Sequence, residues 1–402
     1  MPPSTPPAVP PPPARLASID AYRGFVMLLM MAEVLRLRNV ARALPESGFW
    51  KFLSFHQSHV EWIGCSLHDL IQPSFSFLVG VALPFSIAAR VAKGDSAARM
   101  TLHAFWRALV LILLGVFLRS TSRNVTNWTF EDTLTQIGLG YGFLFLIGLR
   151  STRDHWIAFG AIVAGYFAAF ALWPLPPEGF DYTKVAVTAV WLETNGLSGF
   201  AAHWQKGTNL AAAFDAWWLN LFPRERPFVA HPGGYATLSF IPTLATMILG
   251  LIAGTVLRSA RSAREKIRWF AIAGGVCLVA GSLLGWLGIV PVVKRIWTPS
   301  WVLYSGGWCF LLLGLFYLVI DLRERRGWAF PLIVIGANSI AAYLLAHGFD
   351  AYLEKNLVTH FGAGTFLVLG KPYQPLLLGG AVLLLLWLIL YWMWKRKLFL
   401  KI

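Results

Sequence analysis

Residues 236–257 read ATLSFIPTLATMILGLIAGTVL, and residues 258–268, which follow them, read RSARSAREKIR. The first stretch has no charged side chain, and about 20 such residues in an α-helix cross the ~30 Å hydrocarbon core of a bilayer. The second stretch is rich in arginine and lysine, which are enriched in loops on the cytoplasmic side of membranes. Together the two stretches predict a membrane-spanning helix that ends at the cytoplasmic surface.

Similar apolar stretches recur along the chain. We predict spanning helices at residues 18–36, 66–91, 100–118, 132–149, 155–173, 236–257, 267–288, 301–321, 329–350 and 375–394. Of all residues 57% are hydrophobic and 13% are charged, whereas a soluble domain carries roughly 25% charged residues. No alternating strand pattern competes with the helices, and backbone polar groups in lipid must be satisfied within each segment. The predicted fold class is an all-α integral membrane protein with about ten transmembrane helices in one bundle.

The net charge of +15 comes largely from basic residues in alternate short loops and in the tail. These residues are Arg90, Lys93, Arg99, Arg150, Arg153, Arg258, Arg261, Arg264, Lys266, Arg268, Arg323, Arg325, Arg326, Lys395, Arg396, Lys397 and Lys401. The positive-inside rule places these loops and both termini in the cytoplasm, with the chain crossing the cell inner (plasma) membrane. We therefore expect a lipid bilayer, and no nucleic acid, as the partner of this charge.

The sequence also predicts the structure of two segments outside the helices and the state of the cysteines. Residues 1–14 are mostly proline, which favours an extended, solvated segment, so we predict a disordered cytoplasmic tail before a transmembrane domain at 15–402. A non-cytoplasmic insert is predicted at about 174–234, with an interfacial helix at about 206–221. Cys65, Cys277 and Cys309 are isolated, without the spacing of metal ligands, so we expect buried thiols and no metal.

Three polar stretches lie at predicted membrane depth, where an ionisable side chain costs ~2.5 to 3.5 kcal/mol and needs a partner or a function. They are Asp69 with Gln72 and Pro73 on one helical face, Glu131 to Gln136, and Asn338 followed by Ser339, Tyr343, His347 and Asp350 at helical spacing. One interpretation is hydrogen bonding between helices, and carboxylates also suit a helix N-terminus. The other interpretation, which we favour for the three stretches together, is a polar cavity inside the bundle.

His59 is the first candidate for chemistry in such a cavity. Its ordinary pKa of ~6.5 allows an imidazole to accept a proton near neutral pH. His56 and His59 stand three residues apart, which also suits a metal, but no third ligand has convincing spacing. A transporter, or a binding protein without catalysis, also uses ionisable residues at membrane depth, so both remain open as alternatives.

The sequence resembles the transmembrane acyltransferases related to heparan-alpha-glucosaminide N-acetyltransferase. The matching stretches are SIDAYRG at 18–24, HVEWIG at 59–64, DLIQP at 69–73, LTQIG at 134–138, KRIWTPS at 294–300 and GANSIAAY at 336–343. They occur in the family's order, and the family's catalytic histidine falls on His59. Two family features are missing. Glu33 and Val34 stand where the family has an asparagine, and the family's D-P-E-G is similar only in position to residues 231–235.

The resemblance implies acetyl transfer from cytoplasmic acetyl-CoA, as co-substrate, to an amine or hydroxyl of an extracytoplasmic sugar or glycan. His59 would be the general base, with Asp69 orienting its ring, and an acetyl-histidine intermediate is the rival route. Expected substrate-binding residues are Gln136, Trp297, Ser300, Asn338, Ser339, Tyr343 and His347, and expected acetyl-CoA-binding residues are Asp20 and Arg23. N- or O-acetylation, the acceptor and a homodimer are left open.

Overall fold

The computed structural model describes residues 16–400. The predicted disordered tail at 1–14 lies outside the described residues. These residues form sixteen α-helices: α1 (Ala17–Met31), α2 (Leu37–Ala43), α3 (Gly48–His56), α4 (Ile71–Ala92), α5 (Ala97–Ser120), α6 (Thr133–Gly148), α7 (Thr152–Ala171), α8 (Ala189–Asn195), α9 (Leu210–Trp218), α10 (Phe240–Arg258), α11 (Ala263–Trp286), α12 (Pro299–Phe316), α13 (Phe330–Ala337), α14 (Ser339–Gly348), α15 (Asp350–Phe361) and α16 (Gln374–Lys395).

Helices make up most of each of the ten predicted spanning segments, which confirms the all-α fold class. Within residues 16–400, seven helical segments are long and apolar enough to cross a membrane, and α13 with α14 gives an eighth if this bent pair is one span. The other two segments, α1 and α6, are shorter. The chain is therefore a multi-pass membrane bundle, and the number ten stays a prediction.

Helix α10 lies at the centre of the bundle. In its most apolar stretch 83% of the residues are buried inside the protein, whereas the corresponding fraction in α11 is 17%. It crosses α4 with the two backbones in contact, because a Cβ atom added to Gly250 would lie 1.9 Å from the Phe77 carbonyl oxygen, and one added to Gly80 equally close to that of Met247. Between membrane helices, close packing through small residues replaces the hydrophobic effect as the source of association. The α4–α10 crossing therefore fixes the helix that follows the His59 loop.

The prediction of one continuous helix at 329–350 is wrong. The chain bends by 74° between the helical segments Gly327–Ala337 and Ser339–Gly348, and α15 begins at Asp350. Asn338 lies at the bend and donates from Nδ2 to the Leu398 carbonyl at 2.9 Å, while its Oδ1 accepts from the Leu400 N–H at 3.0 Å. The C-terminal segment thus stabilises the break. Asp350 begins α15 and does not share a helix with Ser339, Tyr343 and His347, contrary to what its spacing predicts.

The insert folds as short helices over the end of the bundle. The predicted helix at 206–221 starts later, at Leu210, because the Asn209 side chain caps it by accepting from the Ala212 N–H. Trp204 is completely buried beside Trp62 and Phe170, so its ring is packed within the protein. The insert therefore covers the loop that carries His59.

Candidate active site

His59 lies in an irregular loop, residues 57–67, between α3 and a 3₁₀ turn at His68–Leu70. One carboxylate oxygen of Asp69, in that turn, accepts from the backbone N–H groups of Val60 at 3.2 Å and Ser66 at 3.0 Å. A single antiparallel bridge joins Ile63 to Val293 in the loop before α12. The His59 loop is therefore fixed by a buried carboxylate and by a second loop distant in sequence.

The structure brings His59 and Asp69 together. His59 Nδ1 lies 2.8 Å from Asp69 Oδ1, and the side chains are 38% and 1% exposed. A carboxylate can only accept, so this contact requires the proton on Nδ1 and leaves the lone pair on Nε2. The arrangement orients a partly exposed imidazole whose Nε2 can accept a proton.

Lys294 completes this cluster from the loop before α12. Its Nζ lies 3.3 Å from Asp69 Oδ1 and 3.1 Å from His59 Nδ1, and its side chain is 5% exposed. Burial, followed by the charge of Lys294, holds the pKa of His59 below its ordinary value, although Asp69 acts in the opposite direction. His59 is therefore unprotonated, and able to act as a base, at neutral pH.

His59 opens onto a cavity of about 300 Å³, which we call the first cavity. Its polar and titratable lining is Glu33, His59, His68, Gln72, Arg119, Glu131, Asp132, Thr133, His231, Tyr235, Lys294, Tyr343 and His347. His68 lies with its ring centroid 4.6 Å from that of His59, and its Nε2 is 3.0 Å from Glu33 Oε1. Of the residues predicted to bind substrate, the structure brings Tyr343 and His347 to this cavity.

His231, on the wall of the first cavity, has a defined tautomer. Its Nδ1 accepts from the backbone N–H groups of Gly233 at 3.0 Å and Tyr235 at 3.4 Å, so the ring proton lies on Nε2. Burial, followed by the charges of Arg119, Arg295 and Lys206, lowers the pKa of His231 to about 4. His231 is therefore a neutral hydrogen-bond donor near neutral pH, a property that its sequence position did not reveal.

The structure does not bring four predicted substrate-binding residues to the first cavity. Gln136 donates to the carbonyl oxygens of Phe130 and Thr237, and Trp297 donates to Thr246 Oγ1 at 3.0 Å. Ser300 donates to the Pro291 carbonyl at 2.7 Å, and Asn338 holds the C-terminal segment as described above. All four are buried. The donors named here bond to neighbouring protein atoms, as in the hydrogen-bonding interpretation that the sequence left open for Gln136 and Asn338, whereas Gln136 Oε1 is buried without a partner. A role of the four residues in substrate binding stays a prediction.

A second cavity of about 550 Å³ opens at the other end of the bundle. Its lining includes four basic side chains, Arg23, Arg90, His103 and Arg107, together with Ser339. Asp20 pairs with Arg23 at 3.5 Å but does not itself line this cavity. Ser339 therefore lines the second cavity with Arg23 and not the first cavity with His59, and its role in substrate binding stays a prediction.

The two cavities approach each other inside the bundle. Helix α5 carries Arg107 in the second cavity and Arg119 in the first, which are ~18 Å apart along the helix axis. The closest approach is on α4, where Gln72 lines the first cavity and Phe75 the second. Helix α14 repeats this with Tyr343 and Ile340, and each pair is ~4.5 Å apart along its axis. A partition about one helical turn thick therefore separates two hollows that open at opposite ends.

Within residues 16–400, no group of three or more His, Cys, Asp or Glu side chains is arranged to hold a metal ion. A reaction without a metal stays a prediction.

Comparisons with known proteins find relatives of the family that the sequence motifs resemble. No family model matches the chain. The chain is 23% identical to human heparan-alpha-glucosaminide N-acetyltransferase over 97% of its own length and 60% of that relative. The mouse protein of the same name is also 23% identical, over 96% of this chain and 60% of the relative. This chain thus spans about 60% of the length of these relatives. The predicted resemblance is confirmed along nearly the whole chain, which is similar to heparan-alpha-glucosaminide N-acetyltransferases.

Proposed function

We propose that this protein is a membrane-embedded acetyltransferase that moves an acetyl group from cytoplasmic acetyl-CoA to an amine or hydroxyl of an extracytoplasmic sugar or glycan. The observation that carries the proposal is the pair of cavities, one lined by His59 and the other by arginines, whose lining residues on α4 and α14 come within about one helical turn of each other. The names of the human and mouse relatives support the acetyl-transfer chemistry and a glycan acceptor.

The second cavity suits the donor. Arg23, Arg90 and Arg107 line it, and guanidinium groups form paired, charge-assisted hydrogen bonds with phosphate. Coenzyme A carries its phosphates at one end and its thioester at the end of the long pantetheine arm. With the phosphates at these arginines, the arm points along the bundle and brings the thioester to the partition at Phe75 and Ile340.

The first cavity suits the acceptor and the base. His59 Nε2 accepts a proton from the acceptor amine or hydroxyl, whose nitrogen or oxygen then bonds to the thioester carbonyl carbon. The carbon–sulfur bond breaks, and the leaving thiolate takes the proton from His59, so free CoA and the acetylated acceptor remain. Asp69 holds the ring and stabilises the transient imidazolium. In the rival route His59 itself becomes acetylated before the acceptor attacks.

The test of this function uses purified full-length protein in proteoliposomes, with acetyl-CoA on one side of the bilayer and amino sugars or glycans on the other. We expect CoA release that depends on the acceptor, and acetylated product on the acceptor side, measured by mass spectrometry. Movement of the sugar across the membrane without CoA release would instead indicate a transporter. Binding of acetyl-CoA with no turnover for any acceptor would contradict the proposal and favour a binding protein.

Replacing Arg107 by Gln is expected to raise KM for acetyl-CoA by about tenfold, with little change in kcat. A hydrogen bond to a charged group contributes about 1.5 to 3 kcal/mol. Arg107 lines the second cavity, ~18 Å along α5 from Arg119, which lines the first cavity with His59. Initial rates over a range of acetyl-CoA concentrations measure both constants. The matched control is Arg264→Gln, an exposed arginine at the start of α11 that lines neither cavity. Equal effects of the two substitutions would show that the second cavity does not bind the donor.

A further inference from the structure

Lys294 is a buried cation in contact with the pair that the proposed reaction uses. Burying an ammonium is costly unless it is paired, and here Asp69 is the carboxylate that it contacts. The next residue, Arg295, donates to the carbonyl oxygens of Gly233 and Val60. The backbone around Lys294 is thus tied to the His59 loop and to the segment before α10, so its Nζ is held in a defined position.

The position of Nζ adds something that pairing with Asp69 alone does not require. Nζ lies 3.1 Å from His59 Nδ1, a nitrogen whose proton is already donated to Asp69. An ammonium cannot donate to an N–H nitrogen, so this contact is electrostatic. It is tolerated while the imidazole is neutral and becomes repulsive when the ring is protonated.

We propose that Lys294 is a positioning residue that keeps the His59 imidazole unprotonated at mildly acidic pH, so that the base stays active there. This inference rests on the proposed function only in calling His59 a base. With Lys294 present, the cluster of Asp69, Lys294 and neutral His59 has no net charge, and a proton on His59 would add an unpaired positive charge. Without the ammonium, the Asp69 carboxylate would stabilise the imidazolium instead.

The other groups around His59 act in both directions. His68 lies beside it in the following 3₁₀ turn, and Glu33 faces it from the 3₁₀ turn that extends α1. The first cavity is also lined by Arg119 from α5, by Glu131 and Asp132 from just before α6, and by His231 and Tyr235 from the segment before α10. Helix α14 adds Tyr343 and His347. Lys294 is the cation in direct contact with the His59 ring nitrogen, and burial and Lys294 are the two largest influences that lower the pKa of His59.

The experiment measures the protonation of His59 without requiring turnover. Diethylpyrocarbonate modifies unprotonated imidazole nitrogen. The His59 side chain lines the first cavity and is 38% exposed, and its Nδ1 is bonded to Asp69, so Nε2 is the nitrogen left for the reagent. The full chain and its Lys294→Gln variant are treated over a range of pH, and modification of the His59 peptide is followed by mass spectrometry. Glutamine removes the charge but can still donate to Asp69. Lys294→Arg keeps the charge, and exposed His360 on α15 serves as an internal reference.

We expect the midpoint for His59 to rise by about one pH unit in Lys294→Gln, to stay in place in Lys294→Arg, and not to change for His360. The acidic limb of kcat/KM should move by the same amount, because loss of the ammonium makes His59 protonate at higher pH. An unchanged midpoint in Lys294→Gln, with a rate that falls equally at all pH values, would overturn the inference and leave Lys294 a structural residue. If Lys294→Gln does not fold, Lys294→Met gives the same comparison.

The two proposals fail separately. A shifted midpoint in a protein that transfers no acetyl group would support the role of Lys294 and refute the proposed function. Acetyl transfer with an unshifted midpoint would support the proposed function and refute the role of Lys294.

Discussion

Replacing His59 by Asn is expected to lower the kcat/KM of acetyl transfer by ~10² to 10⁴-fold, the usual contribution of a general base. Asparagine can still donate from its amide to Asp69, so the loop keeps its anchor, but it cannot accept the acceptor proton near neutral pH. Because His59 lines the first cavity, acetyl-CoA binding should be unchanged. The measurements are turnover in proteoliposomes and acetyl-CoA binding by calorimetry.

The matched control for this prediction is His360→Asn, an exposed histidine on α15 that lines neither cavity. Activity of His59→Asn within a few fold of the wild type would remove His59 as the base. The wild-type protein also separates the two routes. With acetyl-CoA alone, direct transfer leaves the His59 peptide unmodified, whereas the rival route leaves it acetylated.

Replacing Gly250 by Leu is expected to prevent recovery of folded protein, and Gly250→Ala to lower the apparent Tm by several degrees. A Cβ atom at this position would lie 1.9 Å from the Phe77 carbonyl oxygen, so α4 and α10 would have to separate. Overpacking in a tight core costs about 1 to 3 kcal/mol or more, and here the neighbouring atom is rigid backbone. Thermal unfolding followed by tryptophan fluorescence, with size-exclusion chromatography in detergent, measures both outcomes.

Gly275→Ala is the matched control for the helix crossing. Gly275 lies on α11, and a Cβ atom there would meet no atom within 4 Å. The change should leave Tm the same or raise it slightly, because alanine favours helix over glycine by about 1 kcal/mol. If Gly250→Ala and Gly275→Ala had the same Tm, the α4–α10 crossing would not limit stability.

The sequence predicted the helices well because a long apolar run permits few structures in lipid. The ends of α10 and α16 lie within a few residues of the predicted ones. The break at Asn338 was missed because residues on both sides are apolar and helix-forming. The bend depends on hydrogen bonds to Leu398 and Leu400, about 60 residues along the chain, and no local pattern reports such a contact.

For the candidate site, the sequence indicated which residues belong to it better than it indicated which atoms those residues contact. His59 and Asp69 lie in contact as expected, and their catalytic roles stay predictions. Lys294, separated from Asp69 by 225 positions, was visible only within the matching stretch at 294–300. The family resemblance implied that Gln136 and Trp297 bind substrate. Their side-chain N–H groups donate to protein atoms, and a role in substrate binding stays a prediction. The sequence shows which side chains are polar, and only the fold shows which atoms they form hydrogen bonds with.

The thin partition between the cavities also determines where a membrane voltage would act. Water in both hollows would bring the potential of each compartment close to the partition, so most of the voltage would fall across about one helical turn. Moving a full charge through that field costs ~2.3 kcal/mol per 100 mV. The acetyl group passes to the acceptor and one proton passes from the acceptor to the thiol in exchange, so no net charge crosses the partition, while the phosphates of the donor stay on their own side. The proposed reaction therefore exports a chemical group from an energised cell without drawing on the membrane potential.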